Sequence, residues 1–149
     1  MTLSLLLAVH LLCAVVWVGG IAFALMVLRP SLAVLEPAQR LALHGQVFRR
    51  FFRIVWHAVP LLLLSGYGML FGVLGGFARV NWAVHVMHLT GLVMTALFLV
   101  LFFGPWRGLR AALRDGDAGG AGAAVGRMRQ LIMANLVLGV ATVVVAAFA

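Results

Sequence analysis

Four long apolar stretches run through the sequence, and they constrain its fold more than any other feature. They lie near residues 3–28, 54–77, 82–106 and 130–149. An α-helix needs about 20 residues to cross a hydrocarbon core roughly 30 Å thick, and each stretch is long enough to supply them. Since 65% of the 149 residues are hydrophobic and only 9% are charged, such a chain cannot hide its apolar surface in water. We therefore predict an all-α integral membrane protein, a single four-helix bundle over residues 1–149.

The arginines indicate which ends of the four helices share one side of the membrane. The net charge is +8, and all 11 basic residues are arginines. Five lie between the first two stretches, five between the last two, and Arg79 alone lies in the middle connection. Arginine-rich loops remain in the cytoplasm, so both termini are expected to face outward in a multi-pass protein of a bacterial inner membrane. The arginines are thus a topology signal, which argues against nucleic-acid binding.

Glycine and proline mark the predicted connections and contacts. Pro30 is expected to stop the first helix. The Gly/Ala-rich segment 114–126 has the composition of a flexible cytoplasmic loop. Gly68, Gly72 and Gly76 repeat at the spacing with which helices pack closely, either within the bundle or across a homodimer.

The apolar stretches contain histidines, a residue type that is not expected in a membrane-spanning helix. His10, His57, His85 and His88 all fall in or at the edge of a stretch. An ionisable residue inside a membrane is a functional candidate by default, and imidazole is the commonest metal ligand. The stretches contain no Asp or Glu, which argues against a proton pump or a cation transporter that depends on buried carboxylates. Cys13 is the only cysteine, so a thiolate metal cluster is excluded.

His10 and His88 are predicted to lie at the same depth on different helices. Each is about seven residues inside the outer end of its stretch, which is about 10 Å at 1.5 Å per residue. Two imidazoles at one level suit the two axial positions of a haem b between helices. His85 lies on the same helical face as His88, and it is either the alternative ligand or a hydrogen-bond partner of a haem propionate.

The residues that follow His10 are expected to accommodate the macrocycle. Trp17 lies seven residues later on the same face, where it would pack against the ring, and Gly19 and Gly20 would leave room for it. We therefore predict a b-type haem protein that transfers electrons. Because the haem would lie near the outer face, the expected partner is a lipid quinone or a periplasmic redox species.

His57 belongs to a different level of the bundle. It enters its stretch from the cytoplasmic end, roughly 14 Å from the level of His10 and His88. Arg53 and Arg50 precede it on the same face and are candidates to pair with haem propionates. His57 is therefore a ligand of a second haem, a polar contact within the bundle, or a sign that the predicted helix ends are misplaced.

Copper handling is the main alternative function. Met87 and Met94 lie seven residues apart on the third stretch, beside His88. Thioether and imidazole together suit Cu(I), although methionines at helical spacing are more often packing residues. A purely structural subunit is a further alternative, but it does not account for the depth-matched histidines.

Three segments resemble a known family of membrane proteins. The segment "HLLCAVVWVGGIAF" resembles the first core helix of the copper-resistance D (CopD-like) family and of the related HemJ-type protoporphyrinogen oxidases, which bind haem b. The segments "RRFFRIVWHAVPLLLLSGYGML" and "NWAVHVMHL" are similar to their second and third helices. The resemblance implies that His10 takes the first-helix histidine and that His88 or His85 takes the functional position of the third helix. HemJ-type enzymes look to need a lysine there, and this chain contains none, which favours a plain cytochrome over a porphyrinogen-linked membrane oxidoreductase.

The arginine distribution generates a topology prediction. A reporter fused at residue 120 should be active on the cytoplasmic side, and a reporter at the C-terminus should be active on the periplasmic side, because ten of the 11 arginines would then lie inside. Paired fluorescent and periplasmic-enzyme fusions measure this. A fusion at residue 120 that is active only in the periplasm would overturn the predicted orientation.

Overall fold

The structure, a computed structural model, describes residues 2–149. Every regular element in this part of the chain is helical. Tight turns join the longer helices, as the apolar stretches and their short connections require. The helices are α1 (Thr2–Phe23), α2 (Arg29–Ser31), α3 (Pro37–Gly72), α4 (Trp82–Phe103), α5 (Pro105–Asp115) and α6 (Ala118–Ala146).

Four helical segments within residues 2–149 are long and apolar enough to cross a membrane. Their outer surfaces are apolar as well: Leu12, Leu89 and Val137 are 65%, 63% and 62% exposed. Apolar side chains at such exposure suit a lipid environment, where every backbone polar group is satisfied within the helix. The predicted all-α membrane fold is confirmed. The four segments are Thr2–Val34, Pro37–Gly72, Trp82–Asp115 and Ala118–Ala146.

The helices pack in the order α3, α1, α6, α4. The helix α1 runs antiparallel to α3, α4 runs antiparallel to α6, and α1 also contacts α6. The start of α1, the end of α3, the start of α4 and the end of α6 therefore meet at one end of the bundle, which we call the terminal end. The opposite end, which includes α2, the start of α3, and α5, is called the arginine end.

The first helix passes Pro30 instead of stopping there, so that expectation was wrong. A π-helical turn, Ala24–Leu28, follows α1, and the Arg29 N–H donates to the Ala24 carbonyl oxygen five residues earlier. Pro30 then lies in the first turn of α2, where a missing N–H breaks no intrahelical bond. A 3₁₀ turn over Leu32–Val34 completes the segment.

The expectation of a flexible loop over 114–126 was also wrong, because α6 begins inside it. Asp117 caps the helix, and its carboxylate accepts a hydrogen bond from the Gly120 N–H at 2.9 Å. Ala121 and Ala124 are fully buried where α6 packs against α5. Small residues allow this close approach of two helices, so the composition that resembled a flexible loop serves helix packing.

The predicted glycine stripe is not a continuous packing surface. A Cβ at Gly68 would touch Leu6 of α1 at 3.4 Å, whereas a Cβ at Gly72 would meet no atom within 4 Å. Gly76 lies beyond the end of α3 with φ +88°, a left-handed conformation that favours glycine. Only Gly68 of the three contributes to the α1–α3 contact.

Gly20 lies in the contact between α1 and α3. A Cβ at this position would overlap the ring of Phe51. The adjacent Gly19 faces outward, and a Cβ there would meet no atom within 4 Å. Packing therefore requires a glycine at position 20 but not at position 19, and the two adjacent positions can be compared directly.

We expect Gly20→Ala to destabilise the protein and Gly19→Ala not to. The added methyl of Gly20→Ala would displace Phe51 within a packed interface, and overpacking of this kind costs about 1–3 kcal/mol. Thermal unfolding of both variants in detergent, followed by circular dichroism, measures the difference. Equal unfolding midpoints would contradict the described contact between Gly20 and Phe51.

Candidate functional site

His10 is held against α3 by a hydrogen bond. Its Nδ1 lies 2.9 Å from the carbonyl oxygen of Leu62 and 3.3 Å from Oγ of Ser65. Because a carbonyl oxygen only accepts, Nδ1 carries the proton and donates it. The other ring nitrogen, Nε2, then keeps its lone pair and is available to bind a metal ion.

Ser65 and Gly66 shape the position of the His10 ring, and sequence reasoning missed both. Ser65 is 3% exposed, and its hydroxyl hydrogen-bonds the carbonyl oxygen of Leu61 at 2.7 Å. A Cβ at Gly66 would lie 3.1 Å from Cε1 of His10, so the missing side chain is what admits the ring. The sequence signal that could have indicated these two residues is a serine followed by a glycine within an apolar stretch.

His88 contacts the same turn of α3. Its ring makes an edge contact with Tyr67, with 5.5 Å between the ring centroids. It makes a second edge contact with Phe77 at 4.9 Å. Tyr67 follows Gly66 directly, so His10 and His88 approach one turn of α3 from α1 and α4. The two imidazoles therefore lie at a similar level near the terminal end.

His85 and His88 are not equivalent in the structure. His85 is exposed and stacks on Phe77, with a centroid distance of 5.7 Å and an interplanar angle of 23°. His88 is half-buried and also contacts α3. One turn further along α4, a Cβ at Gly91 would meet no atom within 4 Å, so open space adjoins the His88 face.

The structure places His57 away from the other two. It is exposed on α3, and its Nδ1–H donates to the carbonyl oxygen of Arg53 at 2.7 Å. Arg50 and Arg53 are exposed as well. The neighbouring Trp56 packs against Phe102 of α4 at 5.2 Å. This group therefore lies on the outer surface, toward the arginine end.

Trp17 lies in the protein core. It is 2% exposed and makes an edge contact with Phe98 of α4 at 6.3 Å. Phe98 in turn contacts Phe52 and Trp56 of α3 at 5.9 Å and 5.5 Å. The Trp17 indole thus belongs to an aromatic cluster that joins α1, α3 and α4.

Met94 of α4 lies on a different face of the helix from His88. Met94 is 4% exposed, and its methyl group lies against Gly139 of α6. On the same side of α4, Thr142 donates to Thr90 at 2.7 Å. His88 instead faces α3, so the structure does not bring Met94 and His88 together.

Cys13 is the soft donor nearest to His10 along α1. It lies one helical turn later and is 8% exposed. Within residues 2–149, no cluster of three or more His, Cys, Asp or Glu side chains is present that could hold a metal ion. Donors in this part of the chain thus occur singly or in pairs.

A comparison with protein families gives one match. The model of copper resistance protein D, the CopD family, matches residues 45–149. The chain belongs to the CopD family. The predicted resemblance to the CopD family is confirmed for the second and third helices, and it makes this a multi-pass membrane protein related to copper resistance. His57, His85 and His88 lie inside the matched segment, whereas His10 and Cys13 precede it.

The other two comparisons add no relative to the CopD family model. No curated protein matches the chain, and no solved structure matches it. The residue roles below therefore depend on the geometry of this chain.

Proposed function

We propose that the protein handles copper within the membrane, with His10 as its first metal-binding side chain. The observation that carries this proposal is the hydrogen bond from His10 Nδ1 to the Leu62 carbonyl oxygen. Metal-binding histidines almost always donate their second ring nitrogen to a carbonyl, carboxylate or water, which fixes the tautomer and the ring orientation. His10 has this arrangement, and its Nε2 is left to bind the ion.

Copper is the metal that the available donors and the family both favour. Soft thiolate and thioether ligands select Cu(I), and imidazole also binds copper. His10 and the buried Cys13 offer an imidazole and a thiol one turn apart on α1. A closed zinc site would need four ligands, and residues 2–149 hold no cluster even of three. These donors therefore fit a soft metal ion that is bound by few ligands and that the protein transports as its substrate.

His88 is proposed as the second imidazole of this region. It borders the same turn of α3 through Tyr67, and its face adjoins the open space at Gly91. With the proposed orientation, in which both termini face the periplasm of a bacterial inner membrane, the two histidines lie in the outer half of the bundle. Copper would then reach them from the periplasmic side.

A haem b is the second candidate, and the placement of the two imidazoles supports it. His10 and His88 contact neighbouring residues of one turn of α3, and they are the residues that would supply the axial ligands. Haem would give the protein electron transfer to a quinone or a periplasmic redox partner. His57, with Arg53 and Arg50, would belong to a second haem. A porphyrinogen-linked oxidoreductase would draw on the same residues.

Loss of the His10 imidazole should abolish high-affinity copper binding. In His10→Gln the side-chain amide still donates to Leu62, but no ring nitrogen remains for the ion. We expect Cu(I) affinity to fall by more than the about 10–100-fold typical of an outer-shell partner, with a smaller loss in His88→Ala. Chelator competition in detergent measures this, and His57→Ala is the matched control.

The same variants distinguish copper from haem. A visible spectrum with a pyridine haemochrome assay reports haem, and elemental analysis reports copper. Copper without haem in the wild-type protein supports the first proposal. A haem that is lost in His10→Gln supports the second. Unchanged copper affinity and unchanged haem content in His10→Gln would remove His10 from either site.

Gly66→Ala should weaken metal binding without removing any donor. The added Cβ would lie 3.1 Å from Cε1 and 3.4 Å from Nδ1 of His10, so the ring must shift slightly, and Nδ1 is the atom that bonds the Leu62 carbonyl oxygen. We expect the copper affinity to fall about 10–100-fold, the range for lost ligand orientation. Gly72→Ala is the control, since a Cβ there meets no atom within 4 Å. Equal affinities of the two variants would contradict the orienting role of Gly66.

A further inference from the structure

A basic cavity lies at the arginine end of the bundle, remote from the histidine pair. It is formed where α2, the first turns of α3 and the start of α6 meet, and its volume is about 480 Å³. This lies within the about 300–1,000 Å³ of typical small-molecule sites. Its polar lining is basic: Arg29, Arg40 and His44.

The basic side chains of this cavity are positioned for an anion. Arg40 donates through Nε to the Leu35 carbonyl oxygen at 2.6 Å and through a terminal nitrogen to the Ala33 carbonyl oxygen at 3.2 Å. These bonds hold its guanidinium at the rim. Glu36, the nearest acidic residue along the chain, is engaged in the capping box of α3 and does not line the cavity. The lining of the cavity therefore carries positive charge and includes no carboxylate.

An apolar recess continues from this cavity into the bundle. A smaller cavity of about 30 Å³ shares Arg29, His44 and Val125 with the larger one. Its further lining is apolar apart from Arg129. Nδ1 of His44 is buried here and has no hydrogen-bond partner within residues 2–149. The apolar members of the recess are Ala24, Leu25, Leu28, Val47, Phe48 and Ile132.

We propose that this cavity binds the phosphate headgroup of an anionic phospholipid. Arginine pairs with phosphate oxygens through charge-assisted hydrogen bonds, and His44 offers a further ring nitrogen. Basic pockets between membrane helices on the cytoplasmic side bind anionic headgroups in this way. The cavity lies at the arginine end of the candidate membrane-spanning helices, the level at which lipid headgroups carry their phosphates. Its lining also includes the apolar side chains of Pro30, Leu32 and Leu41, against which the lipid next to the headgroup can pack, which is why a lipid is the assigned occupant.

Lipid titration followed by native mass spectrometry tests the site in the intact protein. Phosphatidylglycerol should bind the wild type at least about fivefold more tightly than phosphatidylcholine with the same chains, since each nearby arginine favours an anionic lipid by about that factor. Arg29→Gln and Arg40→Gln should each lower phosphatidylglycerol affinity about fivefold. Arg110→Gln is the matched control, because Arg110 is an exposed arginine of α5 outside both cavities.

Three results would overturn the proposal. The first is equal affinity of the wild type for the two lipids, a measurement that needs no variant to fold. The second is a loss in Arg110→Gln as large as in Arg29→Gln, which would indicate a general effect of charge. The third is displacement of the lipid by inorganic phosphate or by the chain-free glycerophosphoglycerol headgroup at equal concentration, which would assign the site to a soluble anion.

Discussion

A hydrocarbon environment supplies no water, so each polar side chain of this bundle needs a partner within the protein. The hydroxyls meet this constraint through carbonyl oxygens one turn back along their own helix: Ser65 bonds Leu61, Thr95 bonds Gly91 and Thr90 bonds Val86. His10 is different, because its carbonyl partner belongs to another helix. That single bond joins α1 to α3 in the half of the bundle where the proposed metal-binding side chains lie.

An aromatic cluster separates the two ends of the molecule. It is centred on Phe52 of α3, which contacts Phe98 at 5.9 Å and Trp106 at 5.2 Å. Trp17 reaches the cluster from α1. The histidine pair lies on its terminal side, and the arginine-lined cavity lies on the other. In the two proposals each end binds its own partner, and the aromatic cluster lies between the two sites.

Sequence patterns predicted the membrane class and the level of the histidines. They failed for features that depend on how the helices pack against one another. The apolar stretches are long enough to define four helices, and counting residues along a helix is sufficient to place His10 and His88 near one level. The start of α6 was missed because glycine and alanine are common both in flexible loops and in close helix contacts. Gly66 and the arginine-lined cavity were missed because each depends on residues far apart in sequence. No local pattern reveals that Arg29, His44 and Val125 share a wall.

The π turn at Ala24–Leu28 determines the direction in which Arg29 faces at the arginine end. A π turn closes on the fifth residue instead of the fourth, so it holds one residue more than an α turn. Each residue of an α-helix rotates the chain by about 100°. The π turn takes up this extra residue, so the residues after it face as they would in an α-helix one residue shorter. In a chain of unchanged length, α geometry at Ala24–Leu28 would instead rotate Arg29 by roughly that angle, away from Arg40 and His44. The unwound turn therefore determines which face of the first helix meets the membrane surface, even with every arginine retained.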